Sequence, residues 1–222
     1  MWCIPKLTDE FKKRMEDVLD LYGKPFNEKE PVICFDEKSK QLLEDSRAGK
    51  GAMPGKIALR DYEYVRKGTA NIFVAVEPKA GKRLTKVTRR RTKKDYAKFL
   101  KKLIEKYPYA EMIHLVQDNL NTHSEKSLVV AFGEEKAKQI MRRVKFHFTP
   151  KHASWLNMAE IEIGVLSRQC LKRRMPEYHA LECEVLAWEK HNNKARRTIN
   201  WKFTSKKARK VFPSLYETEF KG

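Results

Sequence analysis

Three acidic positions, far apart in the chain, could do chemistry together. The first is Asp118, in His-Leu-Val-Gln-Asp-Asn-Leu-Asn-Thr-His at 114–123. The apolar run Met112, Ile113, Leu115 and Val116 is too short for a helix of its own and suits a buried strand. An acid at the carboxyl end of such a strand stands at the sheet edge where sites form, in a dry corner that disfavours its charge unless a cation arrives. The plainer role is a turn cap, since Asp-Asn is good turn chemistry. The second position repeats the pattern: in Pro-Val-Ile-Cys-Phe-Asp-Glu-Lys at 31–38 an apolar run ends in Asp36. The third lies on a helix at 156–174, where Leu156, Ala159, Ile163, Leu166 and Cys170 recur at helical spacing and must face the core. Glu160 adjoins that stripe, whereas Glu162 points about 200° away at about 100° per residue. The periodicity therefore favours Glu160, although two acids near a helix start also suit the dipole alone. Two or three carboxylates can hold Mg²⁺ or Mn²⁺ with phosphate oxygens completing the shell. Two ions about 4 Å apart activate a water or a 3′-hydroxyl and stabilise the leaving oxygen.

The elements that must position these acids read as follows. An amphipathic helix over 8–22 has Thr8 as N-cap and Phe11, Met15, Val18, Leu19 and Tyr22 inward, ending at Gly23 and Pro25. After the strand at 31–36 comes a long polar loop over 41–60. Its Gly51-Ala-Met-Pro-Gly-Lys56 fails the phosphate-loop pattern, with Lys50 at the first required glycine and Ile57 where Ser or Thr is needed. Residues 62–66 and 70–76 suggest a hairpin around Lys67-Gly68-Thr69, and 83–88 a third strand. A helix over 93–106 opens behind the basic run Arg89, Arg90, Arg91, Lys93 and Lys94. That run is either a solvated face or a DNA-backbone contact. The strand at 112–117, a helix through 124–140, a strand at 144–148, a loop at 149–155 and the helix from 156 follow. Two more helices, 179–193 and 204–217, end the chain. The order predicts an α/β fold with a mixed sheet flanked by helices. If 31–35 and 112–117 are neighbours, Asp36 and Asp118 meet at one edge.

Composition narrows the partner. Lysine and arginine outnumber acids 48 to 29, a formal net charge of +19, which points to a polyanion such as nucleic acid. No run of about 18 apolar residues predicts a membrane span, and the N-terminus lacks a signal-peptide core. Cys3, Cys34, Cys170 and Cys183 form no Cys-x-x-Cys pair, so neither a zinc ribbon nor a disulfide framework is indicated. A reducing cytoplasm is expected, with Cys34 and Cys170 as small core residues.

Three motifs in order carry a resemblance. Cys-Phe-Asp-Glu at 34–37, Gln-Asp-Asn-Leu-Asn-Thr-His at 117–123 and Thr-Pro-Lys-His-Ala-Ser-Trp-Leu-Asn-Met-Ala-Glu at 149–160 resemble the DDE transposases of the mariner superfamily, most of all the bacterial insertion-sequence branch. The likeness runs from about Trp2 to Tyr216. It implies a ribonuclease H-like fold and a triad of Asp36, Asp118 and Glu160 as catalytic, metal-binding acids with Mg²⁺ or Mn²⁺, expected as two ions. It implies hydrolytic nicking of DNA at transposon ends and transfer of the 3′-hydroxyl into target DNA by a dimer on DNA. Asn119 and His123 match polar neighbours of the metal site and are expected among the DNA contacts. Lys151, His152, Ser154, Trp155 and Asn157 fall in the loop that approaches DNA, with Trp155 either a base-stacking platform or a core anchor. A TA target is implied by the resemblance alone. Only about thirty residues precede Asp36, and they hold one helix, where this branch usually carries a helix-turn-helix region. The expectation is a helical lead-in over 1–28 and a catalytic domain over 29–222, cytoplasmic and nucleoid-associated in a bacterium. Specific end recognition should then be weak. The alternatives are a catalytically inactive DNA-binding remnant and a ribonuclease H acting on RNA, against which the Leu-Asn-x-x-Glu motif stands.

Overall fold

The two strands expected to end in acid are neighbours, although the first does not stop at Asp36 but runs on to Asp45. In the computed structural model, which describes residues 7–59 and 61–216, five strands form one mixed sheet in the order β3–β2–β1–β4–β5. They are β1 (Val32–Asp45), β2 (Tyr64–Glu77), β3 (Lys82–Thr88), β4 (Ile113–Gln117) and β5 (Val144–Phe148). The first three form an antiparallel meander, and β4 runs parallel to β1 with Val32 opposite His114 and Cys34 opposite Val116. β5 extends the parallel half. Trp2 and Cys3 lie outside the described residues.

Alternation along the strands sorts side chains to two helical layers. Ile33, Phe35, Phe73, Ile113 and Leu115 pack against Tyr96, Phe99, Leu100 and Leu103 of α2 (Lys93–Glu105). Leu128 of α3 (Glu125–Phe132) and Ala137 of α4 (Glu134–Met141) close that layer. On the opposite face, Cys34, Val76 and Val116 meet Val18 and Leu21 of α1 (Asp9–Gly23) and Met158 and Ala159 of α5 (Met158–Gln169). Farther along, Ile72, Val74 and Val87 meet Ile163, Leu166 and Leu181, Val185 and Trp188 of α6 (Tyr178–Ala195). The chain closes with α7 (Ser205–Val211). Thr8 caps α1 as expected, its hydroxyl accepting from the Phe11 amide. A polar chain also docks α1: the half-exposed Asp17 meets the buried His147 at 2.7 Å, and His147 meets the buried His114 at 3.0 Å. Cys34 and Cys170 are buried.

Several local expectations change. There is no hairpin at 67–69, because β2 runs straight through. Gly68, at φ +116, marks a bulge where the register against β1 slips between Leu42 and Leu43. The hairpin is β1–β2 itself, so the exposed loop shrinks to 46–63 and folds back through bridges Lys50–Leu59 and Met53–Lys56. The helix through 124–140 breaks into α3 and α4 at Gly133, whose φ of +81 is outside the helical region. The helix carrying Glu160 begins at Met158 and stops at Gln169, not 174, because the next residues run beside β1. There the Leu171 carbonyl accepts from Lys40, the Met175 carbonyl accepts from the Leu43 amide, and both side chains are buried. Near the end, Pro213 turns the last helix into a short 3₁₀ turn.

Candidate active site

Asp36 lies within β1, Asp118 directly behind β4 and Glu160 in the first turn of α5. Asp36 sits on the face of β1 that carries Cys34, and its Oδ1 accepts from the Glu37 amide at 2.7 Å. Asp118 follows β4 directly, as the sequence predicts. The preceding Gln117 is buried: its amide donates to the His123 carbonyl at 3.0 Å and its oxygen accepts from the Tyr96 hydroxyl at 2.8 Å. These bonds fix the 118–123 turn. Glu160 stands on the exposed first turn of α5. The start of α5 is pinned to the sheet by Asn157, which caps the helix by accepting from the Ala159 amide. The same side chain donates to the Phe35 carbonyl at 2.8 Å and to Asp36 Oδ2 at 3.3 Å.

The charges converge on Asp36. Burial raises its pKa, and the nearby Glu160 and Asp118 carboxylates raise it further, to about 7. Among the described residues no three His, Cys, Asp or Glu side chains already surround one point as a metal chelate. The donor set nevertheless fits Mg²⁺ or Mn²⁺. It offers carboxylate oxygens, and a nearby dication would favour the charged form of Asp36 that burial and the neighbouring carboxylates disfavour.

The raised pKa has a measurable consequence. The carboxyl titrates near 3.8 normally and about 7 here, so the folded chain keeps a proton that the unfolded chain has lost. Stability without metal therefore falls as pH rises from about 4 to about 7 and levels off above. Asp36→Asn removes this penalty. In urea titrations with chelator present, the variant is expected to be more stable than the parent by roughly 1–3 kcal/mol at pH 8 and equal to it near pH 4. A parent chain equally stable at both pH values relative to the variant would show that Asp36 is not strained.

The DNA-facing expectations divide. Arg89 is exposed, its guanidinium 4.8 Å from the centre of the Tyr178 ring. Arg90 and Lys93 are exposed, and Lys93 lines a groove of about 800 Å³ together with Asn119 and Lys145. A second groove, of about 730 Å³, leads from Asp118 and Asn119 past Lys151 and His152 to Arg14. His152, at φ +62, is one of two non-glycine residues with positive φ among those described. Trp155 is 44% exposed, with one edge against Phe203 at 5.3 Å, so it is both anchored and open to stacking. Two assignments are corrected. Asn157 is buried with its amide engaged by Phe35 and Asp36, and His123 is buried, so neither is free to touch DNA. Arg91 is half committed, pairing with Glu37 at 2.8 Å.

The face argument for Glu160 over Glu162 is also corrected. Glu162 does not point to solvent. It is buried and paired with Arg83, whose Nε lies 2.6 Å from Oε1 and Nη2 3.2 Å from Oε2. Glu160 is the exposed acid of the two, and it is the one near Asp36. Sequence reasoning missed Glu37 and Arg83. Glu37 was visible as an acid on the α2-facing side of a strand, since it shares parity with Phe35. Nothing local marked Arg83.

The residues at 31–182 match the family model described as DDE superfamily endonuclease. No curated protein sequence matches the chain. Among solved structures, the Mos1 mariner paired-end complex with Mn aligns at TM-score 0.59 and 14% identity, over 89% of this chain and 59% of that one. A pre-cleavage Mos1 transpososome aligns at 0.59 and 12%, over 98% and 64%. The Mos1 strand-transfer complex aligns at 0.54 and 12%, over 86% and 57%. At such identities the likeness is one of fold, and it is the ribonuclease H-like fold. This chain spans less than two thirds of the length of those solved chains. With a strand-borne Asp36, Asp118 behind the adjacent parallel strand and the family model covering both and Glu160, the chain belongs to the DDE superfamily endonuclease family.

Proposed function

We propose that the chain is the catalytic domain of a DNA transposase: it nicks DNA hydrolytically at transposon ends and joins the freed 3′-hydroxyl to target DNA. The observation that carries this is the placement of the three acids: Asp36 on β1, Asp118 directly behind the adjacent parallel β4, and Glu160 on the first turn of α5, whose cap Asn157 bonds Asp36. Asp36, Asp118 and Glu160 would hold Mg²⁺ or Mn²⁺, expected as two ions. The structures of similar fold include Mos1 complexes with Mn and with Mg. When bound, the metal supplies activation of water or a 3′-hydroxyl and neutralises charge on the phosphate. The protein's own part is placement. Asn157 holds Asp36 against the start of α5, and the Gln117 bonds hold the turn that carries Asp118. Arg14, Lys151 and His152 line the groove leading away from Asp118 and would carry the DNA backbone. Trp155 would stack an unpaired base there. Arg89, Arg90 and Lys93 would contact phosphates on the other side. Residues 29–222 form the catalytic unit in this reading, and 1–28 a lead-in whose helix packs on it. Cytoplasmic, nucleoid-associated localisation goes with DNA as substrate in this reading. Nothing observed favours an inactive remnant.

The test is nicking of duplex DNA with Mg²⁺ or Mn²⁺ and with chelator, beside an RNA–DNA hybrid. Cleavage of the duplex only with metal is expected; cleavage confined to the RNA strand of the hybrid would overturn the reading.

A dimer on DNA is part of the same proposal. The β1–β2 arm exposes the apolar residues Ile57 (81%), Tyr62 (85%), Met53 and Leu59. Ile57→Asp with Tyr62→Ser is expected to reduce the sedimentation mass of the DNA complex from two protomers to one. A complex of unchanged mass would place the interface elsewhere.

A further inference from the structure

We propose that Glu37 and Arg91 are positioning residues for Asp118, acting through His123. The inference deepens the proposed function and rests on reading Asp118 as a metal-binding acid.

Neighbours on a strand face opposite ways. Asp36 turns toward the site, while Glu37 turns with Phe35 toward α2, where its side chain is 4% exposed. A carboxylate that deep needs cationic partners, and it has two. Arg91 Nη1 donates to Oε1 at 2.8 Å, and His123 Nε2 lies 3.0 Å from Oε2. The other imidazole nitrogen, Nδ1, lies 2.5 Å from Asp118 Oδ1. An imidazole with a carboxylate at each nitrogen donates from both, so it bridges the two acids. The ring cannot swing away. It packs edge-on against Phe35 at 5.1 Å and beside Tyr96 at 4.9 Å, and its own carbonyl is held by Gln117.

The direction of Asp118 is therefore set two residues back in a chain of contacts. Glu37 fixes the tilt of the His123 ring, and the ring fixes Asp118 Oδ1. The second oxygen, Oδ2, has no hydrogen-bond partner among the described residues, and the Asp118 side chain is 32% exposed. Oδ2 is the atom left to meet a cation. Arg91 stands at the outer end with its side chain 53% exposed. It keeps the buried Glu37 neutralised, a task that a DNA phosphate contact would weaken. Partners behind a metal ligand of this kind are worth about 10–100-fold in metal affinity or activity.

The test uses the full chain and Mn²⁺ alone, by calorimetric titration of the parent, Glu37→Gln, His123→Asn and the double variant. Glu37→Gln is expected to bind Mn²⁺ about tenfold more weakly. Its nicking should fall by the same factor at limiting Mn²⁺ and return at saturating Mn²⁺, with KM for duplex DNA unchanged. A general loss of fold would not be rescued by metal. The double variant should be no weaker than His123→Asn alone, because the two act in series. Arg91→Met, on the surface, should shift affinity in the same direction by about threefold, and Arg91→Lys should restore it. Mn²⁺ affinity of Glu37→Gln within about twofold of the parent, or additive losses in the double variant, would overturn the relay alone. A parent chain that binds no Mn²⁺, or Asp118→Asn binding it as well as the parent, would overturn the metal reading and this inference with it.

Discussion

Asp118→Asn is expected to nick duplex DNA slower than the parent by a factor on the order of 10³ or more, while binding the same duplex at least as tightly. The two effects separate because they have different origins. Binding comes from a surface carrying +19 and spread over many lysines and arginines, and removing one acid from it adds to the attraction. The steep fall of affinity with salt should therefore be unchanged. Catalysis depends on a ligand oxygen, and an amide is a poor substitute for a carboxylate toward a hard dication. The amide oxygen can keep the contact that Oδ1 makes with His123 at 2.5 Å, but the NH₂ then stands in place of Oδ2 and turns a donor toward the cation. Asp36→Asn and Glu160→Gln should fail in the same way. Glu160 is instructive, since it is exposed and makes no side-chain hydrogen bond among the described residues. Its loss should leave the fold untouched and register in the chemistry alone. Nicking by Asp118→Asn at the parent's rate would end the assignment of the triad.

Glu162→Ala is expected to lower the free energy of unfolding by about 3–5 kcal/mol, measured by urea titration. This is a third or more of the stability of an ordinary domain, about 5–15 kcal/mol. The size follows from what remains behind. Arg83 is buried, and besides Glu162 it reaches only backbone: Nη1 donates to the Gly81 carbonyl at 2.8 Å and Nη2 to the Arg197 carbonyl at 2.7 Å. Carbonyls solvate the guanidinium but do not neutralise it. Its own amide donates to Asn193 at 2.7 Å, so one residue ties the β2–β3 turn and the end of α6 to α5. The turn is close there. A Cβ on Gly81 would lie 2.6 Å from the Arg196 backbone, which leaves no room to relax. The paired change Arg83→Met with Glu162→Leu should recover most of the loss, because matched apolar residues avoid burying a charge. If Glu162→Ala costs under about 1 kcal/mol, the ion pair is not holding the helix.

The acids that close apolar runs were legible in the sequence because the signal is local. A short apolar run closed by an acid marked the buried strands at 31–36 and 112–118, although only the second stops at its acid: β1 continues through Asp36 to Asp45, paired with β2. The three motifs located Glu160, and net charge pointed to a polyanion. The amphipathic stripes of α1 and α2 were legible for the same reason, as periodicity repeats within one turn of the chain. The bulge at Gly68 was not. A glycine between two β-prone runs reads as a turn, and only pairing with β1 shows that the strand continues through it.

Partner choice was decided by the tertiary structure. Helical spacing related Glu160 and Glu162 to an apolar stripe, but it could not say that the polar side of α5 would be covered by Arg83, 79 residues earlier. His123 and Asn157 looked like DNA contacts from their motifs. Folding instead turned one toward Glu37, 86 residues away, and the other toward Asp36, 121 residues away. A sequence states which groups can bear charge. Whether each meets water or a buried counter-charge depends on which distant segment covers it, because the cost of burying an ion is set by its neighbours in space.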